Sequence, residues 1–423
     1  MGWSPQQDKA LLAVSDWFKN RRHEQQVFRL FGYAGTGKTT LAQHFAEEID
    51  GKVLFLAFTG KACKVLMDKG CAPVSTIHSA LFNPQEPDRN ALKELEDQIV
   101  HLRKELIEEY KGDSKTEEEL MARVEANDRL CDLYTMLEVQ RKVVSKPSFT
   151  YKEHNDLSSC ALGIVDECSM INNELGQALI DAGVPLLVMG DPAQLPPVEG
   201  NGFFTEGDNP PDVLLTEVHR QAEDNPIIWM ATKTRNQEEI PLGNYGDSRY
   251  IDMKDLDFGT IAAADQNICG TNALRHKWNR RIRHLLYGPD SFVPVPEEKM
   301  IALRNDKEAD VINGAMFTTK KITFVGEESI HMTVWDDEYN EKDVQIHSKL
   351  LSHPYEEMSY WDRRTQTEMD YGHCITGHKS QGSQWQDVVA VDESSVFRRD
   401  KWKWKYTVLT RAANKITLVK RNR

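Results

Sequence analysis

Between Val27 and Ile49 the chain reads VFRLFGYAGTGKTTLAQHFAEEI: an apolar run, a glycine-rich bend, then a helical pattern. No other feature restricts the possible folds as much. Glycines let successive backbone N–H groups converge on one anion with no Cβ in the way. The helix that follows adds the positive end of its dipole. A loop of this kind sits at the carboxyl end of a buried parallel strand, which commits this part of the chain to an α/β layered structure. Gly32, four residues, then Gly37-Lys38-Thr39 is the spacing of a nucleoside-triphosphate loop. In such a loop Lys38 reaches the β- and γ-phosphates and the Thr39 hydroxyl holds Mg2+, while Gly35, Thr36 and Thr40 complete the cradle.

The alternation continues on both sides. Ser4 and Pro5 are suited to open a helix over 4–23. KVLFLAFTG, ALGIVDE and VPLLVMGD read as further buried strands with helical stretches between them. From about 85 to 146 the pattern changes. Leu92, Leu95, Ile99, Leu102 and Leu106 repeat at the spacing of a coiled-coil seam. YKGDSKT then reads as a turn, and Leu120, Val124, Leu130, Leu133 and Leu137 as a return. This predicts an antiparallel helical hairpin rich in Glu. After Pro210-Pro211, YIDMKDLDF, QNICGTN, DVVAVDES and KITLVKR restart an α/β pattern, interrupted over 291–370 by Thr- and Val-rich alternation.

The expected architecture is therefore two parallel-sheet α/β domains. The first spans 1–211 with the helical insert 85–146; the second joins 212–290 to 371–423 around a small β-barrel-like insert, 291–370.

Two further stretches bear on chemistry. In ALGIVDECSM, Asp166 ends an apolar strand, where it can hold Mg2+ through water, and Glu167 points toward an attacking water. A phosphorylating enzyme has no need of a water-activating carboxylate there, so the pair favours hydrolysis. In VMGDPAQLPPV, Gln194 leaves the next strand beside the γ-phosphate position, where a neutral amide senses the phosphate without repelling it.

With these motifs in order, the chain resembles a superfamily 1 helicase of the RecD/Dda type. That resemblance implies two RecA-like domains, an SH3-like insert in the second, ATP and Mg2+ as cofactors, and 5′→3′ movement on single-stranded DNA. SPQQDKAL resembles the adenine-reading motif, with Gln7 as its amide. AFTGKACKVL and STIHSAL match DNA motifs and imply backbone contacts from Thr59, Lys61, Thr76 and His78. LTEVHRQAEDNPI implies Arg220 at the γ-phosphate. ICGTNALRHKWN implies DNA contact through Thr271 and Asn272. ITGHKSQGSQW implies Thr376, His378 and Lys379 toward DNA, with Gln381 and Gly382 toward ATP. YTVLTRAANKITLV ends the set with Arg411 as a second arginine finger. A site whose fingers and phosphate loop lie in different domains is complete only when the cleft closes, and this links hydrolysis to gripping and releasing DNA.

Plainer assignments stand beside these. Thr76 and His78 suit a helix cap and its polar neighbour. RRDKWKWKY, before Arg411, suits a packing helix more than a base-stacking surface, and Trp385 suits packing.

The sequence also departs from the resemblance. Net charge is −14, which argues against a protein that coats nucleic acid and calls for a narrow basic channel in an acidic exterior. A helical hairpin stands where the family carries a small β-hairpin wedge, and it suits either a strand-splitting pin or an arm for a replication or repair protein. Cys168 replaces the usual aliphatic residue.

The seven cysteines include no CxxC pair, and no apolar run approaches the ~20 residues of a membrane span. The expectation is a monomer in the cytoplasm of a bacterial or phage-infected cell, acting on single-stranded and forked duplex DNA. The alternative is a nucleic-acid-stimulated translocase that strips proteins without unwinding.

Overall fold

The computed structural model describes residues 3–85, 90–114, 116–145, 148–198, 200–207, 210–217, 225–288, 292–352 and 366–421. One compact unit is Phe82–Glu153; the residues before and after it form the other.

The larger unit begins with helix α1 (Pro5–Asp16). Ser4 and Gln7 form a reciprocal capping box there, and Pro5 occupies the first turn. The helix expected over 4–23 changes character at Trp17, where a π-helical turn covers Trp17–Arg21. Widening the turn lets the buried Trp17 ring donate its indole N–H to Gln25 O at 2.7 Å.

The first sheet is built from β1 (Val27–Gly32), β2 (Val53–Ala57) and β3 (Val74–Thr76), interleaved with helices α2 (Lys38–Glu47), α3 (Gly60–Asp68) and α4 (Ile77–Leu81). The smaller unit then supplies β4 (Phe82–Gln85), α5 (Asn90–Tyr110), α6 (Glu117–Glu125), α7 (Asp128–Ser145) and β5 (Ser148–Tyr151). The first sheet resumes with β6 (Leu162–Val165), helix α8 (Asn173–Asp181), β7 (Leu186–Gly190) and β8 (Val213–Leu215). Its order is β3-β2-β6-β7-β1-β8, with every pairing parallel. The strands are nearly continuous apolar runs, as burial on both faces requires. In such a sheet ligands collect beyond the carboxyl ends of the strands where the order reverses, which here is around β1.

A second sheet follows after α9 (Pro226–Arg235). It contains β9 (Gly243–Tyr245), β10 (Ser248–Asp252), then α10 (Phe258–Ala263), β11 (Gln266–Cys269) and α11 (Asn272–Tyr287). The chain then enters β12 (Lys299–Ala302), β13 (Met316–Val325), β14 (Ser329–Trp335), β15 (Glu341–His347), α12 (Ser348–Ser352) and β16 (Met369–Tyr371). It returns to the second sheet with β17 (Cys374–Thr376), β18 (Trp385–Asp392), helix α13 (Lys401–Leu409) and β19 (Ala412–Lys420). The order is β17-β11-β18-β19-β10-β9, parallel except for the β9 edge. The fold is thus two α/β domains on parallel sheets.

The intervening strands form an antiparallel sheet, β15-β14-β13-β12-β16, around Met300, Phe317, Val334, Ile346 and Tyr371. Two register shifts bend β13, and Thr367 N–H reaches Gln345 O at 2.7 Å, so the sheet's two edges approach each other.

In the smaller unit the chain turns back after α5, and the return is broken rather than continuous. Asn127 stops α6, accepts from Leu130 N–H to begin α7, and donates to the Tyr110 hydroxyl at 3.0 Å. Leu92, Ile99, Leu102, Leu106, Val124, Leu130 and Leu137 are buried along the seam. Among the described residues no helix is long and apolar enough to cross a membrane.

Candidate nucleotide site and nucleic-acid interface

Residues 33–37 bend because two of their glycines adopt backbone angles closed to most side chains: Gly35 and Gly37 have φ of +79° and +82°. Gly32 is held by crowding instead, since a Cβ there would lie 2.6 Å from Thr36 Oγ1 and 2.8 Å from Leu215 Cβ. Thr36 is buried and donates its hydroxyl to Tyr33 O at 2.8 Å. Lys38 opens α2 with its ammonium folded onto the loop, donating to Gly32 O at 2.6 Å and Tyr33 O at 3.2 Å. Thr39 Oγ1 donates to Asp166 Oδ2 at 3.2 Å. That bond joins the first turn of α2 to the end of β6 across 127 residues of sequence.

Glu167, the next residue, has φ +52° and ψ +42°, a left-handed conformation that costs a non-glycine residue about 1–3 kcal/mol. Burial and then the Asp166 charge push its carboxyl above the ordinary range; Arg411 and Lys38 pull the other way. From β7 come Asp191 and Gln194. Gln194 is buried, and its Oε1 has no hydrogen-bond partner among the described residues.

The second domain closes the opposite wall. Arg411 is buried in the turn just before β19, with Nε donating to Thr407 O (3.0 Å), Nη1 to Ser383 O (3.2 Å) and Nη2 to Thr410 Oγ1 (3.1 Å). Its charge interacts with Glu167 and Asp191. Gln381 donates to Leu195 O at 3.1 Å, and Leu195 N–H donates to Thr407 Oγ1 at 2.9 Å. Leu195 is itself buried in the second domain's core. Gly382, at φ +73°, lines the cleft.

The result is an open cleft of about 1010 Å3 lined by Gly35, Gly37, Lys38, Thr39, Thr40, Asp166, Glu167, Gln194, Gly382 and Arg411. Two carboxylates, two threonine hydroxyls, two cations and a buried amide oxygen with no partner among the described residues are the polar set that a triphosphate and a hard divalent ion require.

The remaining sequence-predicted residues fall elsewhere. Arg220 lies outside the described residues. Gln7 is buried with both amide atoms engaged: Oε1 accepts from Ser4 N–H at 2.9 Å and Nε2 donates to Thr36 O at 3.1 Å. These bonds brace the phosphate loop and use one lone pair and one N–H of the amide, leaving a second acceptor site and a second donor. Thr59, Thr76 and Thr271 each cap a helix or turn, accepting from Ala62, Ser79 and Leu274 N–H respectively. Thr376 accepts from Lys379 N–H in the same way. Asn272 is exposed in the first turn of α11.

His78 packs beside Phe58 and His378 beside Phe397, and burial lowers both imidazole pKa values. Lys61 lies 5.4 Å from the Trp385 ring centroid across the domain boundary. Burial lowers its pKa and Asp337 raises it. Lys64, one turn on, pairs with Glu338 at 3.3 Å, and Lys379 donates to Asn313. An acidic turn between β14 and β15 therefore faces α3.

Sequence reasoning missed Asp191, which accepts from the Tyr406 hydroxyl at 2.6 Å, Tyr406 itself, Arg235, whose guanidinium lies 3.7 Å from the Tyr33 ring centroid, and Glu393. Glu393 accepts from Gly270 N–H, Thr271 N–H and the Thr271 hydroxyl. Each of these four acts through a partner far away in sequence, and no local pattern marks it. Asp191 alone had a local hint, its place in the same GDPAQLPPV stretch as Gln194.

Two α/β domains with a phosphate loop on one and a buried arginine from the other define a P-loop nucleotide-binding protein. Residues 19–255 match the AAA domain family and residues 371–419 the UvrD-like helicase C-terminal domain. The chain belongs to that AAA domain family, and its ordered motifs resemble those of the superfamily 1 helicases of the RecD/Dda type.

The ATP-dependent RecD2 DNA helicase of Deinococcus radiodurans is 27% identical over 290 residues, covering 62% of this chain and 37% of the relative. The ATP-dependent DNA helicase dda of Enterobacteria phage T4 is 25% identical over 339 residues, covering 76% of this chain and 59% of the relative. The chain thus spans between about two fifths and three fifths of the length of these relatives.

Among solved structures, Pif1 helicase from Bacteroides in complex with ADP-AlF3 and ssDNA superposes with a TM-score of 0.52 at 16% identity, covering 99% of this chain and 92% of that one. Pif1 helicase from Candida albicans gives 0.51 at 16% identity, with coverages of 100% and 95%. At such identities the likeness is one of fold.

Proposed function

We propose that this chain is an ATP-dependent DNA helicase that hydrolyses ATP between two RecA-like domains and moves 5′→3′ on single-stranded DNA. The observation that carries this reading is the convergence of Lys38, Thr39, Asp166 and Glu167 from one domain with Arg411 from the other on one cleft. In the reaction Lys38 leaves its carbonyl partners for the phosphates, and Glu167 orients and deprotonates water. Gln194 senses the γ-phosphate, and Arg411 neutralises charge developing on the transferred group. Thr39 and Asp166 would hold Mg2+, which would supply Lewis-acid stabilisation of the phosphate charge.

Thr59, Lys61, Thr76 and His78 on one domain, with Thr271, Asn272, Thr376, His378 and Lys379 on the other, are the proposed DNA contacts. Because Gln381 reaches Leu195 across the boundary, the two groups shift together as the cleft opens. The five-stranded antiparallel sheet is proposed as the SH3-like insert of the family. A second reading, a translocase that remodels protein–DNA complexes without unwinding, draws support from the acidic, three-helix insert over 90–145.

Strand displacement on forked duplexes carrying a 5′ or a 3′ tail tests the proposal. Separation with only the 5′ tail supports it; separation from the 3′ tail overturns the polarity. ATP-driven movement without separation selects the second reading.

A further inference from the structure

Two side chains of the second domain grip the bend of the phosphate loop at a point away from the cleft residues described above. Tyr406, buried in α13, accepts from Ala34 N–H at 3.3 Å and donates to Asp191 Oδ2 at 2.6 Å. Arg235, the last residue of α9, sets its guanidinium 3.7 Å from the centroid of the Tyr33 ring. A single phenol thus connects the loop after β1, the loop after β7 and the helix that leads into Arg411.

Asp191 is fully buried, and Ala193 N–H also donates to it, at 3.0 Å to Oδ1. A buried carboxylate that loses a donor is costly, as is a buried N–H that loses its acceptor. Both losses occur at once if α13 moves away from the first domain. A cation stacked on an aromatic face likewise holds only while both elements stay in place.

We propose that Tyr406 and Arg235 are positioning residues that clamp the phosphate loop from the second domain, so that the loop keeps its nucleotide-holding shape only while the domains are closed. The inference rests on the proposed ATP-hydrolysing cleft. It adds a second route by which domain opening reaches the nucleotide: Arg411 acts on the transferred phosphate, whereas the clamp acts on retention of the product. Opening would release ADP by relaxing the loop that holds it.

The test is stopped-flow release of methylanthraniloyl-ADP, together with steady-state ATP turnover, for Tyr406→Phe, Arg235→Ala and Asp191→Asn. Tyr406→Phe removes one oxygen and keeps the packed ring. It should accelerate release about tenfold, the equivalent of roughly 1.4 kcal/mol. Arg235→Ala, which touches neither Asp191 nor Ala34, should accelerate it in the same direction. Combining Tyr406→Phe with Asp191→Asn should add little to either alone, because they break one shared bond.

A generally loosened fold would lower the active fraction and kcat without changing release from the molecules that still bind. Wild-type release rates in both Tyr406→Phe and Arg235→Ala would overturn the clamp, as would losses that multiply in the double variant. DNA enters none of these arms. A wild-type protein unresponsive to DNA would therefore refute the helicase reading while leaving the clamp decided by ADP release.

Discussion

Replacing Arg411 separates catalysis from folding and from DNA binding. The guanidinium makes three hydrogen bonds, all inside its own domain, to Thr407 O, Ser383 O and Thr410 Oγ1. Its position therefore does not depend on nucleotide. Arg411→Ala leaves two backbone carbonyls without these donors, a stability cost of about 1–3 kcal/mol. The catalytic cost is larger: a finger contributes ~10³–10⁵ in rate, and a thousandfold loss corresponds to about 4 kcal/mol of barrier.

A second signature follows from the carboxylates it faces. Burial first, then Asp166, raise the Glu167 pKa, and Arg411 is the foremost group pulling it down. Without Arg411 the Glu167 pKa climbs further. The reaction needs the carboxylate charged, so the acid limb of turnover must move to higher pH. Single-turnover ATP hydrolysis across pH, with single-stranded DNA binding by anisotropy in parallel, measures both. The reasoning predicts a fall of at least about a hundredfold, an acid limb displaced upward and DNA affinity within a few-fold of wild type. Turnover within tenfold of wild type, or an unmoved acid limb, would refute it.

Other consequences can be checked as directly. Glu167→Gln should bind ATP and fail to hydrolyse it, and should also melt higher than wild type at neutral pH. The folded-state pKa of Glu167 lies above the ordinary 4.5, so its favourable contribution is present below that pH and is lost as pH rises through the folded value. A lower melting temperature for this variant would count against that electrostatic account. Removing the compact unit Phe82–Glu153 in favour of a short linker should spare DNA-stimulated ATP turnover and abolish fork unwinding; unwinding that survives would exclude this unit as the strand separator. Asp337→Asn with Glu338→Gln removes the acidic partners of Lys61 and Lys64 and should tighten single-stranded DNA binding several-fold at low salt, with a steeper salt dependence. Unchanged affinity would mean that α3 does not carry DNA phosphates.

The sheets were legible because buried parallel strands are written as local apolar runs. VFRLFG and VLFLA need no distant information to be recognised, and the loop after VFRLFG is marked by the φ that Gly35 and Gly37 must adopt. What a local pattern could not show was which atoms meet. Thr39 and Asp166 could be assigned to one site by motif, yet the bonds that tie the Gln7 amide to Ser4 and Thr36 depend on how α1 lies against the loop. Tyr406 reads as one more aromatic in a basic-aromatic helix until its hydroxyl is seen between Ala34 and Asp191. The break at Asn127 was hidden for a related reason. The heptad-like leucines run through it, and only the side-chain bonds to Leu130 N–H and Tyr110 reveal a cap inside the pattern.

The central claim is that nucleotide chemistry in this cleft is coupled to DNA held by both domains. The most direct test is Mg2+-dependent ATP hydrolysis at low salt with and without single-stranded DNA. The account predicts strong stimulation by DNA, lost when Lys38 is replaced by Ala. Turnover indifferent to both DNA and RNA would contradict it.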